Sequence, residues 1–365
     1  MKLIKMKNIK LLTLMMLGAS ASLFAQEDDV KPLKISAYAE VYYQFDFSNP
    51  QNNTRPGFIY SHNRNNEVNL NLGFVKANYE TERLRANLAL ATGTYMNANY
   101  AAEPGVLKNI YEANIGLKIS KTKNLWVDAG IMPSHIGFES AISKDCWTLT
   151  RSLLAENSPY YESGAKISYT SDSGKWLVSG LVLNGWQRIQ RVDGNSTVAF
   201  GHQLTYKPTD KITLNSSSFI GNDKPDSIRQ MRYFHNLYGI FQLSKKLALT
   251  AGFDIGAEQK MKGSNQHNIW FSPVIIAKYA ATDKLSFAAR GEYYSDEKGV
   301  IIATGTENGF KTFGYSVNAD YWILPNLVWR TEVKNLSSKD DIFLDRDDHL
   351  NKNNFMAVTS LAVSF

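Results

Sequence analysis

Phe355-Met-Ala-Val-Thr-Ser-Leu-Ala-Val-Ser-Phe365, the last eleven residues of the chain, alternates in polarity and stops on an aromatic. Successive side chains of an extended strand point to opposite faces. Phe355, Ala357, Leu361, Val363 and Phe365 therefore share one face, broken by Thr359, while Ser360, Ala362 and Ser364 share the other. The closing strand of a membrane barrel requires this arrangement: apolar groups toward lipid, small or polar groups toward the lumen, and an aromatic at the interface. A terminal Phe365 in that setting also predicts a partner, the machinery that assembles barrels in the outer membrane.

The other end predicts export. Lys2, Lys5, Lys7 and Lys10 precede a mostly apolar run over residues 11–24, followed by Ala25, which together read as a signal peptide over residues 1–25. The alternative, an anchoring helix, is disfavoured because the run is shorter than the roughly 20 residues a spanning helix needs. Residues 26–365 are then the mature domain, with no further stretch long and apolar enough to cross as a helix.

Charge and cysteine content narrow the function classes. The four leader lysines account for four of the formal +6, which leaves too little positive charge to argue for nucleic acid. The single cysteine, Cys146, permits no internal disulfide and no metal cluster, so no cofactor is expected.

Turn chemistry organises the middle of the chain. Short connections are expected at 81–83, 121–124, 171–175, 208–211, 244–246, 281–284 and 325–326, and long polar ones around 48–65, 98–108, 134–159, 188–196, 222–230, 260–267, 297–309 and 337–353. Their alternation predicts about sixteen strands with both ends on the short-turn side, an all-β transmembrane antiparallel barrel with periplasmic turns and extracellular loops. Within strands the split recurs. Ile35, Ala37, Ala39, Val41, Tyr43 and Phe45 oppose Ser36, Glu40, Gln44 and Asp46; Leu247, Leu249, Ala251, Phe253 and Ile255 oppose Thr250, Asp254 and Glu258.

A soluble sandwich also alternates, so the placement of aromatics decides. Tyr79, Tyr169, Tyr206 and Tyr279 lie just before short turns, and Trp126, Trp176 and Trp329 just after them, as an interfacial ring requires. Trp126 shares the parity of Asp128 and is the weakest member.

Two segments carry a family resemblance. Gly130-Ile-Met-Pro-Ser-His-Ile-Gly-Phe-Glu139 with Trp147-Thr-Leu-Thr-Arg-Ser-Leu-Leu-Ala-Glu-Asn-Ser-Pro-Tyr-Tyr-Glu-Ser-Gly164, and Asn184-Gly-Trp-Gln-Arg-Ile189, resemble the putative beta-barrel porin-2 family of outer-membrane proteins. The specific motifs cover residues 129–190. The resemblance implies a diffusion channel for small hydrophilic solutes without naming the solute.

The loop over 134–159 is the longest and the strongest functional candidate. If it folds inward, Lys144, Asp145, Arg151 and Glu156 would face Gln187 and Arg188 across a wet constriction; if it stays at the surface it has no such role. Arg85, Lys166, Arg232, Arg290 and Arg330 are expected on the lumen wall, with Lys278, opposed by Glu40, Asp128, Glu162, Asp254, Glu292 and Glu332. These charges either select ions or pair across neighbouring strands to stiffen the wall.

Other functions compete. His202 beside Ser216 on an outward face suggests a lipolytic pair, although no group to orient the imidazole is evident, so no catalytic residue is assigned. The same patch, with Ser218, Gly239 and Ala251, also suits contact with a second barrel in a homo-oligomer. His135 and Glu139 have the spacing of helical metal ligands but lack a second cluster. The acidic run over 345–349 suits a divalent ion or lipopolysaccharide, against the simpler reading of a solvated charge run.

Overall fold

The computed structural model describes residues 32–365; the expected signal peptide lies outside the described residues. The first half of the chain forms β1 (Leu33–Asp46), β2 (Val68–Glu80), β3 (Leu84–Thr92), β4 (Ile110–Lys118), β5 (Asn124–Pro133), β6 (Tyr161–Thr170), β7 (Trp176–Leu183) and β8 (Ala199–Thr209). Then follow β9 (Ile212–Gly221), β10 (Arg232–Gln242), β11 (Leu247–Gln259), β12 (His267–Ala280), β13 (Leu285–Asp296), β14 (Phe310–Leu324) and β15 (Leu327–Ser338). A two-residue hairpin in the last loop supplies β16 (Phe343–Leu344) and β17 (Leu350–Asn351), before the terminal β18 (Asn353–Ser364).

All strands but the small hairpin join one closed antiparallel barrel, in which β18 lies between β15 and β1. Closure sets Tyr38 opposite Ser364, Val41 opposite Leu361 and Asp46 opposite Met356. Phe365 clasps the first strand, its amide donating to the Ala37 carbonyl at 2.9 Å. A closed ladder leaves no strand edge unpaired, as hydrocarbon demands.

The alternation read from the sequence is the wall itself. On β1, Ile35, Val41 and Tyr43 are exposed outward while Glu40, Gln44 and Asp46 are buried inside. Tyr279, Trp176 and Trp329 are exposed near the short turns, with Trp176 stacked on Tyr206 at 4.0 Å. Trp126 departs from the ring. It is buried facing the lumen, where Arg85 lies 4.3 Å over its face, because it falls on the inward parity of Asp128.

Element boundaries differ where local chemistry intervenes. The expected turn at 208–211 shortens because β8 runs to Thr209; its register with β9 shifts between Tyr206 and Thr209, and Pro208, which has no N–H to give, falls inside that irregularity. The expected loop at 98–108 begins earlier, since β3 ends at Thr92 and a short helix, α1 (Thr94–Asn99), starts at once. Gly93 permits that corner: its φ is 127°, and a Cβ there would stand 2.4 Å from the Asn71 carbonyl oxygen.

The inner face is not wet throughout. Toward the long loops it turns apolar: Leu181, Leu183, Phe219, Phe234, Trp270, Tyr294, Phe310 and Leu336 point inward and pack on Ile59, Ile136, Leu153 and Ile302 from the loops. The barrel thus has a small hydrophobic core in its loop-side half. Toward the short turns the inner face keeps polar groups, among them Arg85 paired with Asp128 at 2.5 Å; nearer mid-wall Lys76 pairs with Glu112 at 2.8 Å.

Candidate functional site

The connection from β5 to β6, residues 134–160, turns into the lumen directly after Pro133. Its entry is fixed by His135, whose Nδ1 lies 2.6 Å from a Glu162 carboxylate oxygen and whose Nε2 lies 2.9 Å from the Ser218 carbonyl. Both ring nitrogens face acceptors, so this geometry is complete when both carry protons. Burial pulls the His135 pKa down, but Glu162 and the Ser218 carbonyl together raise it above its ordinary value. Two residues on, Gly137 adopts a φ of 87° and donates its amide to Asn236 on β10.

From there the loop crosses to the opposite wall. At its deepest, a 3-10 turn over Ser143–Asp145 meets Glu40 and Tyr38 on β1 through the Ser143 hydroxyl. Arg330, near the short-turn end of β15, donates to the carbonyls of Ser143 and Cys146 while holding Asp320 at 2.7 Å. Rising again, the loop gives the Leu149 amide to Asn318, the Thr150 amide to Glu332 and the Leu153 amide to Glu292. Arg290 completes the seam, donating to the Thr148 hydroxyl and the Thr150 carbonyl, both at 2.7 Å, and to Glu332 at 3.0 Å. The single helical turn α2 (Leu153–Glu156) ends the crossing; Ser152 caps it by accepting from the Ala155 amide.

The predicted constriction residues separate into three groups. Arg151 is buried inside the loop and donates to the carbonyls of Ser140, Leu149 and Ala141, so it holds the loop's shape rather than facing a solute path. Lys144 and Asp145 sit at the deep turn and pair with each other at 3.1 Å. Glu156, Gln187 and Arg188 do come together. With Arg232, Trp186, Tyr60 and Ile301 among others, they line a cavity of about 350 Å³ on the loop side of the barrel.

At this cavity Glu156 accepts from the Tyr60 and Ser61 amides at 2.9 and 3.2 Å, and burial pushes its pKa up. Gln187, at φ 54°, bridges the Tyr160 amide and the Asn99 side chain. Arg232 is held by Glu258 at 2.7 Å and stacks over Trp186 at 5.2 Å.

On the wall, Arg85 reaches Asp128 across β4, where Gly116 leaves room between them; a Cβ there would meet the Asp128 carboxylate at 2.1 Å. Lys166 is half-buried beside them. Glu292 and Glu332, wall charges by their parity, anchor loop amides. Their inward parity was visible, but their partners lie about 140 to 180 residues away in sequence. His62 is buried 3.2 Å from Glu40, and nothing local in the sequence marks a histidine in a polar loop as an interior residue.

His202 and Ser216 are adjacent on the outer face, at 3.2 Å, and the cluster is wider than expected. His202 Nδ1 also lies 2.5 Å from the Ser218 hydroxyl, and His235 lies 3.1 Å from Ser216. Gly239 offers no bare backbone beside them, because Phe241 and Leu214 cover it. His135 and Glu139 diverge, Glu139 accepting from the Ser152 amide at 3.0 Å. Among the described residues no three metal-ligating side chains gather.

Residues 32–365 match the family model described as putative beta-barrel porin-2, OmpL-like. The chain belongs to this family. Its porin-2 barrel is an outer-membrane protein, and its fold is shared with solved structures at low sequence identity. The anion-selective porin from Comamonas acidovorans aligns with a TM-score of 0.61 at 8% identity, over 91% of this chain and 99% of that one. The outer-membrane channel DcaP of Acinetobacter baumannii aligns at 0.57 and 11%, covering 91% and 97%. The trimer form of OmpT, an outer-membrane protein of Vibrio cholerae, aligns at 0.58 and 8%, covering 91% and 99%. At such identities the likeness concerns the fold. No curated protein matches the chain.

Proposed function

We propose that this porin-2 barrel is a diffusion channel for small hydrophilic solutes in which the loop over 134–159 limits what passes. One observation carries the reading: the loop is tied to opposite walls, to Glu162 on β6 at its entry and to Arg290 and Glu332 on β13 and β15 at its return. A segment held that way occupies the cross-section at fixed depth and sets a size limit without gating motion. Deleting residues 140–155 should raise single-channel conductance in planar bilayers and admit larger sugars in liposome swelling. Unchanged conductance would remove the loop from the permeation path.

The outward His202, Ser216, Ser218 and His235 cluster favours a second, structural role. Their hydrogen bonds are made to one another, and among the described residues no carboxylate contacts either imidazole of the pair, so a lipolytic triad lacks its third member. A polar row on a lipid-facing wall suits contact with another copy of the barrel. A cysteine at position 218 should crosslink copies in the native membrane; a product that is monomeric throughout would count against this interface. The terminal strand with its exposed Phe365 serves assembly, and lipid with lipopolysaccharide surrounds the wall.

A further inference from the structure

The loop-side cavity holds one cation, Arg188, that no side chain or carbonyl among the described residues engages directly, although its charge is felt by the nearby Asp223. Glu156 is engaged by two loop amides, and Arg232 by Glu258 and by Asp223 at 3.4 Å. Asp223, the neighbouring acid, also accepts the Trp186 amide at 2.9 Å. Arg188 is half-buried at the same cavity and makes no hydrogen bond or ion pair among the described residues.

A guanidinium carries five N–H donors in a plane and matches a carboxylate in bidentate fashion. Its position is imposed by the backbone. Gln187, next to it, occupies the left-handed region and is held from two sides by Tyr160 and Asn99. For a residue with a side chain that conformation costs energy, and such sites concentrate where a protein positions a functional group. Val300 and Ile301 supply an apolar wall within the same lining. The volume, about 350 Å³, falls within the range of small-molecule sites, roughly 300–1,000 Å³.

We propose that this cavity is a selectivity site for small organic carboxylates, with Arg188 taking the carboxylate and Val300 and Ile301 receiving the apolar part. The inference rests on the channel reading, since it names the solute class that lingers at the loop side before passing. A neutral sugar would leave the guanidinium unmatched, inorganic phosphate would leave the apolar wall unused, and a cation would meet a Glu156 already engaged by amides.

Benzoate is the probe. Purified barrel in detergent is titrated with it while tryptophan emission is followed, Trp186 being part of the lining. In parallel, ion current through the same protein is recorded in planar bilayers. Wild type should show saturable quenching and saturable current block, with inorganic phosphate and maltose clearly weaker. Arg188→Gln should weaken both by about tenfold or more, and Arg188→Lys should recover part of the loss. Absence of saturation by benzoate, wild-type affinity in Arg188→Gln, or phosphate binding as tightly as benzoate would each overturn the proposal. The two readings fail separately: saturable quenching in a barrel that carries no current sinks the channel and keeps the site, while current that benzoate never blocks, with no quenching, does the reverse.

Discussion

Arg290 on the barrel wall and Thr150 in the inward loop are joined twice, the guanidinium donating to the Thr150 carbonyl at 2.7 Å and to its hydroxyl at 2.9 Å. The same guanidinium faces Glu332 at 3.0 Å and Glu292 at 3.4 Å. Two buried acids that accept loop amides are thus balanced from the wall, Glu332 by Arg290 and Glu292 by Arg290 together with Lys334 at 2.8 Å.

Arg290→Ala should therefore cost more than its loop contacts alone. Removing one partner of a buried ionic network leaves uncompensated charge, typically about 3–5 kcal/mol. Urea unfolding from lipid vesicles should show that loss, and channel recordings should turn noisy as the loop loosens. Wild-type stability in the variant would mean the network is not what holds the loop.

His135 makes the loop entry pH-dependent. Its folded pKa is raised above the ordinary 6.5, so the stabilisation it provides is fully present below that value and is lost as pH rises through the folded pKa. Glu156 acts with the same sign in a lower window, above its ordinary 4.5, because burial raises its pKa too. Unfolding measured from pH 4 to 9 should show stability declining with pH, and His135→Gln should flatten the slope above pH 6.5 while leaving the lower window unchanged.

Cys146 should resist alkylation in the folded barrel. It is buried within the inward loop, donates to the Ser140 carbonyl at 3.3 Å, and burial raises its thiol pKa, which keeps the reactive thiolate scarce. Mass spectrometry after maleimide treatment should find modification only in denaturant. Rapid labelling of the native protein would show that the loop leaves the lumen.

The two faces of one wall should answer differently to the same substitution. Val317 points outward from the middle of β14, so Val317→Arg should cost about 2–4 kcal/mol in lipid, whereas Gln203→Arg on the inner face of β8 should cost far less. Equal costs in vesicle unfolding would contradict the assignment of the faces.

Strand number, sidedness and closure were legible because they depend on signals only a few residues long. Alternation along β1 and β11, and turn chemistry at 171–175, 281–284 and 325–326, are local properties that the lipid and the ladder impose on every strand alike. The inward loop was legible as a candidate from its length and place. Its interior was not: Arg151 reads as a constriction charge, yet its donors turn to the loop's own carbonyls.

What the chain alone determined is the period-two pattern, and with it a cylinder in a membrane, since burial of alternate side chains in hydrocarbon is decided one strand at a time. Tertiary structure decided the rest. Only closure brings Glu40 to Ser143 and Glu332 to Thr150, and only the packing of separate loops sets Arg188, without a hydrogen bond or ion pair among the described residues, in one cavity with Glu156. Those relations depend on distances between residues far apart in sequence, which no local pattern encodes.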